Sequence, residues 1–155
     1  MLDPASHPFC IAMPFTDPAD EDAEPHPEAP NSSSKPEITV ASISFDCPDH
    51  QALVSFYAQL NDMTPVDMGD GDHSALLSNT GYLMSFQRVE NYQAPTWLTQ
   101  ERGQQIHLDF AVDDIASAVA FAETLGARQA LDQPGEAWCV MLGPAGRPFC
   151  LSHHQ

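Results

Sequence analysis

Displacing the chain by sixty-five residues lays its second half on its first without a gap. Phe110 then falls on Phe45, Asp114 on Asp49, Val119 on Val54, Phe121 on Phe56, Leu125 on Leu60, Leu142 on Leu77 and Gly146 on Gly81. Identities are few, but the order of structural signals repeats: a β-rich run, an acidic helix start, an amphipathic helix, a Gly-bearing turn and two short strands. A unit of this length present twice suits two paired modules sharing one core, not a solenoid of many small repeats.

The first module opens with Ile38–Asp46, whose alternation and β-branched content predict a strand. Pro48 and Asp49 supply a helix start, and Leu53, Phe56, Tyr57 and Leu60 then fall at i, i+3, i+4 and i+7, one apolar stripe facing a sheet. Pro65–Met68, His73–Ser78 and Tyr82–Val89 read as strands, separated by Gly69-Asp70-Gly71-Asp72 and Asn79-Thr80-Gly81. The second module repeats the order: strand Gln105–Val112, a cap at Asp113 or Asp114, a stripe of Ile115, Val119, Ala122 and Leu125, and Gly126 as helix stop. Strands follow at about Arg128–Leu131, Ala137–Leu142 and Arg147–Ser152. Both halves read β-α-β-β-β, and Phe56 and Leu60, and by the repeat Phe121 and Leu125, should be buried beneath their sheets.

A different composition precedes them. Residues 1–36 carry eight of the fourteen prolines and a run of acidic residues around Asp20-Glu21-Asp22. Such a stretch buries too little apolar surface to offset its ordering entropy, so roughly 12–36 reads as a disordered linker. Within 1–36 lies a second, partial repeat. Residues 1–11 match residues 141–151 at seven of eleven positions, Pro8-Phe9-Cys10 falling on Pro148-Phe149-Cys150. The favoured reading is the end of an upstream domain, the alternative an extra strand docking on a sheet edge. The domain organisation is therefore an extension over 1–36 and one domain over 37–155, with module one at about 37–90, a connector at 91–103 and module two at 104–153.

A formal charge of -17, with only Lys35, Arg88, Arg102, Arg128 and Arg147 basic, argues against a nucleic-acid partner and against docking on anionic lipid. No apolar run is long enough to span a membrane, and the acidic, Pro-broken N-terminus lacks the basic start of a signal peptide. Cys10, Cys47, Cys139 and Cys150 show no CxxC pairing and read as reduced thiols, which points to the cytoplasm.

The strand faces carry the first functional signal. Ala41, Ile43 and Phe45 alternate with Ser42, Ser44 and Asp46, and Ile106, Leu108 and Phe110 with His107 and Asp109. Ser85 and Gln87 share one face, as do Cys150 and Ser152. The apolar sets belong under the helices. The polar sets form either a solvated outer face or the lining of a small-molecule pocket, and their small, uncharged or titratable side chains favour the pocket.

Taken together, Phe45-Asp46-Cys47-Pro48-Asp49 with Phe56-Tyr57, Phe86-Gln87-Arg88-Val89-Glu90, Pro95-Thr96-Trp97, Gln104–Asp109 and Gly143–Leu151 resemble the vicinal oxygen chelate superfamily. That superfamily includes glyoxalase I, bleomycin-resistance proteins and extradiol dioxygenases, and the closer resemblance is to its glyoxalase-like domain group. The resemblance covers about residues 37–153. It implies an α+β fold of two βαβββ modules forming an eight-stranded cup, a small-molecule ligand and a homodimer. Metal-using members take ligands from the first and last strand of each module, which the repeat maps here onto Ser42, Ser85, His107 and Cys150. Only His107 and Cys150 of these coordinate a metal well, so the full ligand set is not expected and no cofactor is firmly implied.

The resemblance thus leaves a ligand-binding protein lined by Ser42, Ser85, Gln87, Trp97 and Cys150, with His107 and Asp109 as candidate catalytic residues. The alternatives are a divalent-metal lyase, isomerase or dioxygenase, and a metal-free protein that sequesters a drug. His107 itself stays open between a structural histidine, a ligand contact or general base, and a metal ligand. Asp109, two residues on, either orients the imidazole or pairs with Arg88 or a backbone amide. Cys150 reads as a small buried hydrophobe in preference to a nucleophile. Trp97 is either a lid or a plug on the core edge.

Overall fold

The computed structural model describes residues 40–68, 71–97, 99, 101–104 and 106–154, together with Met1 and Pro4. The expected linker at 12–36 lies outside the described residues, as does the partial repeat at 1–11 apart from Met1 and Pro4. The chain divides into the units Met1–Ala41 and Ser42–Gln155, and every described helix and strand belongs to the second. Among the described residues no helix is long and apolar enough to cross a membrane.

The elements run β1 (Ser42–Cys47), α1 (His50–Leu60), β2 (Thr64–Val66), β3 (His73–Leu77), β4 (Leu83–Arg88), then β5 (Leu108–Val112), α2 (Ile115–Thr124), β6 (Arg128–Gln129), β7 (Trp138–Leu142) and β8 (Pro148–His153). The βαβββ order holds in both halves. The eight strands form two four-stranded sheets of matching order, β1-β4-β3-β2 and β5-β8-β7-β6. Within each, the first strand runs parallel to the last: Ile43 pairs with Met84, and sixty-five residues on Leu108 pairs with Phe149.

Local chemistry explains the repeated parts. Asp49 accepts the N–H groups of Gln51 and Ala52 at 3.0 Å, and Asp114 accepts that of Ser117 at 2.8 Å, so each helix starts on a carboxylate cap. The Ser117 donors hold the Asp114 carboxyl below its ordinary value. Gly81 (φ 91°) and Gly146 (φ 75°) occupy the left-handed region in equivalent hairpin turns, where a side chain is disfavoured. The first strand of each module is shorter than its sequence suggests. In module two, Pro148 has no N–H to offer opposite His107, and the ladder begins only at Leu108 with Phe149.

The two apolar sheet faces and α1 meet in one aromatic core. Tyr57 stacks on Phe86 (5.5 Å between centroids) and lies 6.4 Å from Phe110, while Phe56 is 6.0 Å from Phe149 and packs edge-on to Tyr57 at 4.9 Å. Rings of module one therefore pack directly on rings of module two.

The repeat is imperfect in two respects. Thr64 pairs with Leu77, but Arg128, not Gln129, pairs with Leu142. The slip originates at the helix C-termini. Met63 N–H returns to Ala58 in α1 and Ala127 N–H to Ala122 in α2, a displacement of sixty-four residues, so α2 stops one residue early on Gly126. The second departure corrects an expectation. Phe56 is 2% exposed, whereas Phe121 is 48% exposed. The Tyr57 ring that encloses Phe56 is replaced by Ala122 in α2, which narrows the apolar stripe to Val119 and Ala122, flanked by Ile115 and Leu125.

Candidate functional site

Alternation along β1 and β5 turns Phe45 and Phe110 into the core and leaves Ser42, Ser44, Asp46, His107 and Asp109 exposed on the other face. Parallel pairing then sets Asp109 opposite Cys150 and Ser44 opposite Ser85. These are equivalent positions of the repeat. Each sheet consequently carries a cluster of three polar side chains at the same place: Ser42, Ser44 and Ser85 in module one, and His107, Asp109 and Cys150 in module two.

The module-two cluster is chemically richer. His107 Nε2 lies 3.3 Å from Asp109 Oδ2, and one donor atom from each of His107, Asp109 and Cys150 falls within 4.8 Å of the others. Both His107 and Asp109 are exposed, while Cys150 is buried. Burial pushes the Cys150 thiol up to about 11, and the Asp109 charge and a hydrogen bond to Asp109 add to the effect. The thiol is thus held protonated near neutral pH, which argues against a nucleophilic Cys150. Arg88 is engaged elsewhere, with Asp72 at 2.8 Å, and Asp109 meets the imidazole and the Cys150 thiol instead.

In module one, Ser44 Oγ and Ser85 Oγ are 2.6 Å apart. Sequence reasoning left Ser44 out of the site; the signal that identifies it is its place as the repeat counterpart of Asp109. Gln87 is exposed at the end of β4, two residues beyond Ser85 on the same face, and its carbonyl accepts the Cys47 thiol at 3.4 Å. Trp97 from the connector packs on Ala130, Val140, Leu142 and Cys150, the face of the second sheet that carries the cluster. Its Nε1–H donates to the Asp132 carbonyl at 3.0 Å, which satisfies the ring in a plug-like position. The structure brings His107, Asp109, Cys150 and Trp97 to one sheet and the serines and Gln87 to the other. No hydrogen bond among the described residues joins the two clusters. Two cavities of about 400 and 420 Å³ lie elsewhere, and none of these residues lines either.

The metal sites expected from the resemblance raise the question of fit. Ser42 and Ser85 offer hydroxyls, which are weak ligands for a divalent ion, so the positions divided between the modules do not fit a metal ion. Within module two alone, imidazole, carboxylate and thiol form an N, O and S set suited to zinc, and their spacing fits three ligands around one ion.

Comparisons with known proteins agree with this layout. A family model described as "Glyoxalase-like domain" matches residues 42–152. No curated protein sequence matches. Among solved structures, the chain is similar to a glyoxalase/bleomycin resistance protein/dioxygenase family enzyme from Burkholderia phytofirmans (18% identity, TM-score 0.59, 75% of this chain and 98% of that one). It is also similar to a mutant of the fosfomycin resistance protein FosX from Listeria monocytogenes, complexed with Mn(II) and 1S,2S-dihydroxypropylphosphonic acid (11%, TM-score 0.59, 76% and 90%). A third is the bleomycin resistance determinant encoded on transposon Tn5 (13%, TM-score 0.50, 76% and 99%). At these identities the structural likeness concerns the fold.

Proposed function

The chain belongs to the glyoxalase-like domain family of the vicinal oxygen chelate superfamily, and from that premise we propose that it is a small-molecule-binding protein without the full metal-ligand set. The observation that carries this reading is the pairing of clusters: three hydroxyl-bearing side chains in one module stand where the other has His107, Asp109 and Cys150. Hydroxyls donate and accept hydrogen bonds but are weak ligands for a divalent ion, so they suit a polar organic ligand. His107, oriented by Asp109, supplies an imidazole that can both donate and accept, as a ligand contact or as a general base. Cys47, Cys139 and Cys150 are free thiols, which supports a reducing compartment such as the cytoplasm. A ligand screen by thermal shift tests the reading: a hit that stabilises the wild type must lose most of its effect in His107→Ala and in Ser44→Ala/Ser85→Ala. A screen in which no stabilising hit depends on either variant overturns it.

The spacing of the module-two donors favours a second reading, a divalent-metal enzyme of the glyoxalase type. His107, Asp109 and Cys150 would hold the ion, which in such a site supplies Lewis-acid polarisation of a bound oxygen. FosX, in its complex with Mn(II), is the structural relative on which that analogy rests.

A further inference from the structure

Among the described residues, three buried side-chain polar atoms have no hydrogen-bond partner: Tyr92 Oη, Arg147 Nε and Gln104 Oε1. Two of the three belong to residues lining the same cavity of about 400 Å³. Buried donors are nearly always paired, since leaving one unmade costs the full desolvation of the group. Tyr92 and Arg147 interact with each other, but neither Tyr92 Oη nor Arg147 Nε completes a well-formed hydrogen bond, and two such groups at a cavity of ligand size mark a place where something else completes the set.

The cavity is a product of the connector. Its wall combines Asp46 at the end of β1 with Glu90, Asn91, Tyr92 and Gln93 beyond β4 and Arg147 at the entry to β8. The connector is pinned: Arg102 donates from Nε to the Ala94 carbonyl at 2.8 Å, and the Thr96 N–H donates to the Arg102 carbonyl at 2.9 Å while the Arg102 N–H donates to Thr96 Oγ1 at 3.0 Å. Gly146 lets the β7–β8 turn approach so closely that an added Cβ would sit 2.9 Å from Ala94 Cβ. The repeat does not preserve its charged wall, since Asp46 corresponds to Ala111 and Arg147 to Tyr82.

Charge selects the ligand. The Arg147 guanidinium lies over the Phe45 ring, 5.1 Å from its centroid, and forms no ion pair among the described residues. In the neighbouring cavity Arg88 is already engaged by Asp72. Arg147 and Tyr92 together present an N–H and an O–H to an acceptor, and guanidinium–carboxylate bonds are the strong, geometrically specific kind. Asp46 and Glu90 on the same wall call for a cation. A net anion is disfavoured by these carboxylates and by a chain of formal charge -17. We propose that this cavity binds an α-amino-acid-sized zwitterion, its carboxylate held by Arg147 and Tyr92 and its ammonium by Asp46 and Glu90.

The site is separate from the polar clusters, so its test is independent of them. Titration calorimetry on the full chain uses glycine, L-alanine, L-serine and L-glutamine as probes, with propionate and ethylamine as half-ligands. At least one amino acid should bind about tenfold or more tightly than either half-ligand, since each lacks one charge-assisted contact. Arg147→Gln should abolish that binding and Tyr92→Phe weaken it about three- to tenfold, whereas His107→Ala should leave it unchanged. If Arg147→Gln fails to fold, Tyr92→Phe decides, because it keeps the ring and removes only the hydroxyl. No binding by any of the four amino acids, equal binding of a half-ligand, or indifference to Tyr92→Phe overturns the proposal.

Discussion

Phe56 and Phe121 occupy the same position of the repeat and should respond differently to truncation. Phe56 is 2% exposed and lies between Tyr57 and Phe149, with centroids at 4.9 and 6.0 Å. Phe56→Ala forfeits about 1.5–3 kcal/mol of transfer free energy. Two ring contacts add about 0.5–1.5 kcal/mol each, and a residual cavity adds more. The expected loss is about 4 kcal/mol, a large share of the roughly 5–15 kcal/mol of a whole domain. Phe121, 48% exposed, should lose only about 1 kcal/mol. Urea unfolding followed by far-UV circular dichroism reads both: with a slope of about 1.5 kcal/mol/M, the midpoint should fall by about 2–3 M for Phe56→Ala and under about 1 M for Phe121→Ala. Equal shifts, or a Phe56→Ala loss under about 1 kcal/mol, would refute the shared aromatic core.

Further outcomes follow from the same geometry. Burial pushes the Cys47 thiol from 9.0 to about 11 and the Tyr57 phenol from 10.0 to about 12, so their neutral forms favour the folded state. Their contribution is whole below pH 9 and is lost as pH rises toward 11 and 12; the urea midpoint should fall over that window, and less so in Cys47→Ala. Gly81 and Gly146 both have positive φ, but only at Gly146 would a Cβ meet a neighbour, at 2.9 Å. Gly81→Ala should therefore cost about 1–2 kcal/mol in thermal unfolding and Gly146→Ala clearly more, and the reverse order would count against the contact with Ala94. Removing a helix cap by Asp49→Ala or Asp114→Ala should cost about 1 kcal/mol each, and loss of stability in neither would show the caps to be idle.

Architecture was legible in the sequence because the signals that specify it are local and occur twice. Asp49 and Asp114 cap, Gly81 and Gly146 turn, and the alternation of Ile43 and Phe45 with Ser42 and Ser44 sorts the faces. What the repeat concealed depends on neighbours. Phe121 matches Phe56 in identity, yet its burial hinges on an adjoining ring that Ala122 does not supply. The register slip in β6 follows from a helix ending one residue early, which a gapless superposition cannot display. His107, Asp109 and Cys150 were named from the sequence, whereas the tight approach of their donor atoms depends on the parallel pairing of β5 with β8. The Arg147 cavity was invisible for the same reason: its residues come from β1, the connector and the last hairpin, and no motif unites them.

The two readings of the polar clusters part most cleanly on metal content. Mass-spectrometric elemental analysis of the full chain, purified without added metal or chelator, measures it directly. If the clusters serve an organic ligand without the family's metal, Zn, Mn, Fe and Ni should each fall well below one equivalent per chain, in the wild type and in His107→Ala alike. One equivalent of any of them, absent from His107→Ala, would contradict the account and assign His107, Asp109 and Cys150 to a metal centre.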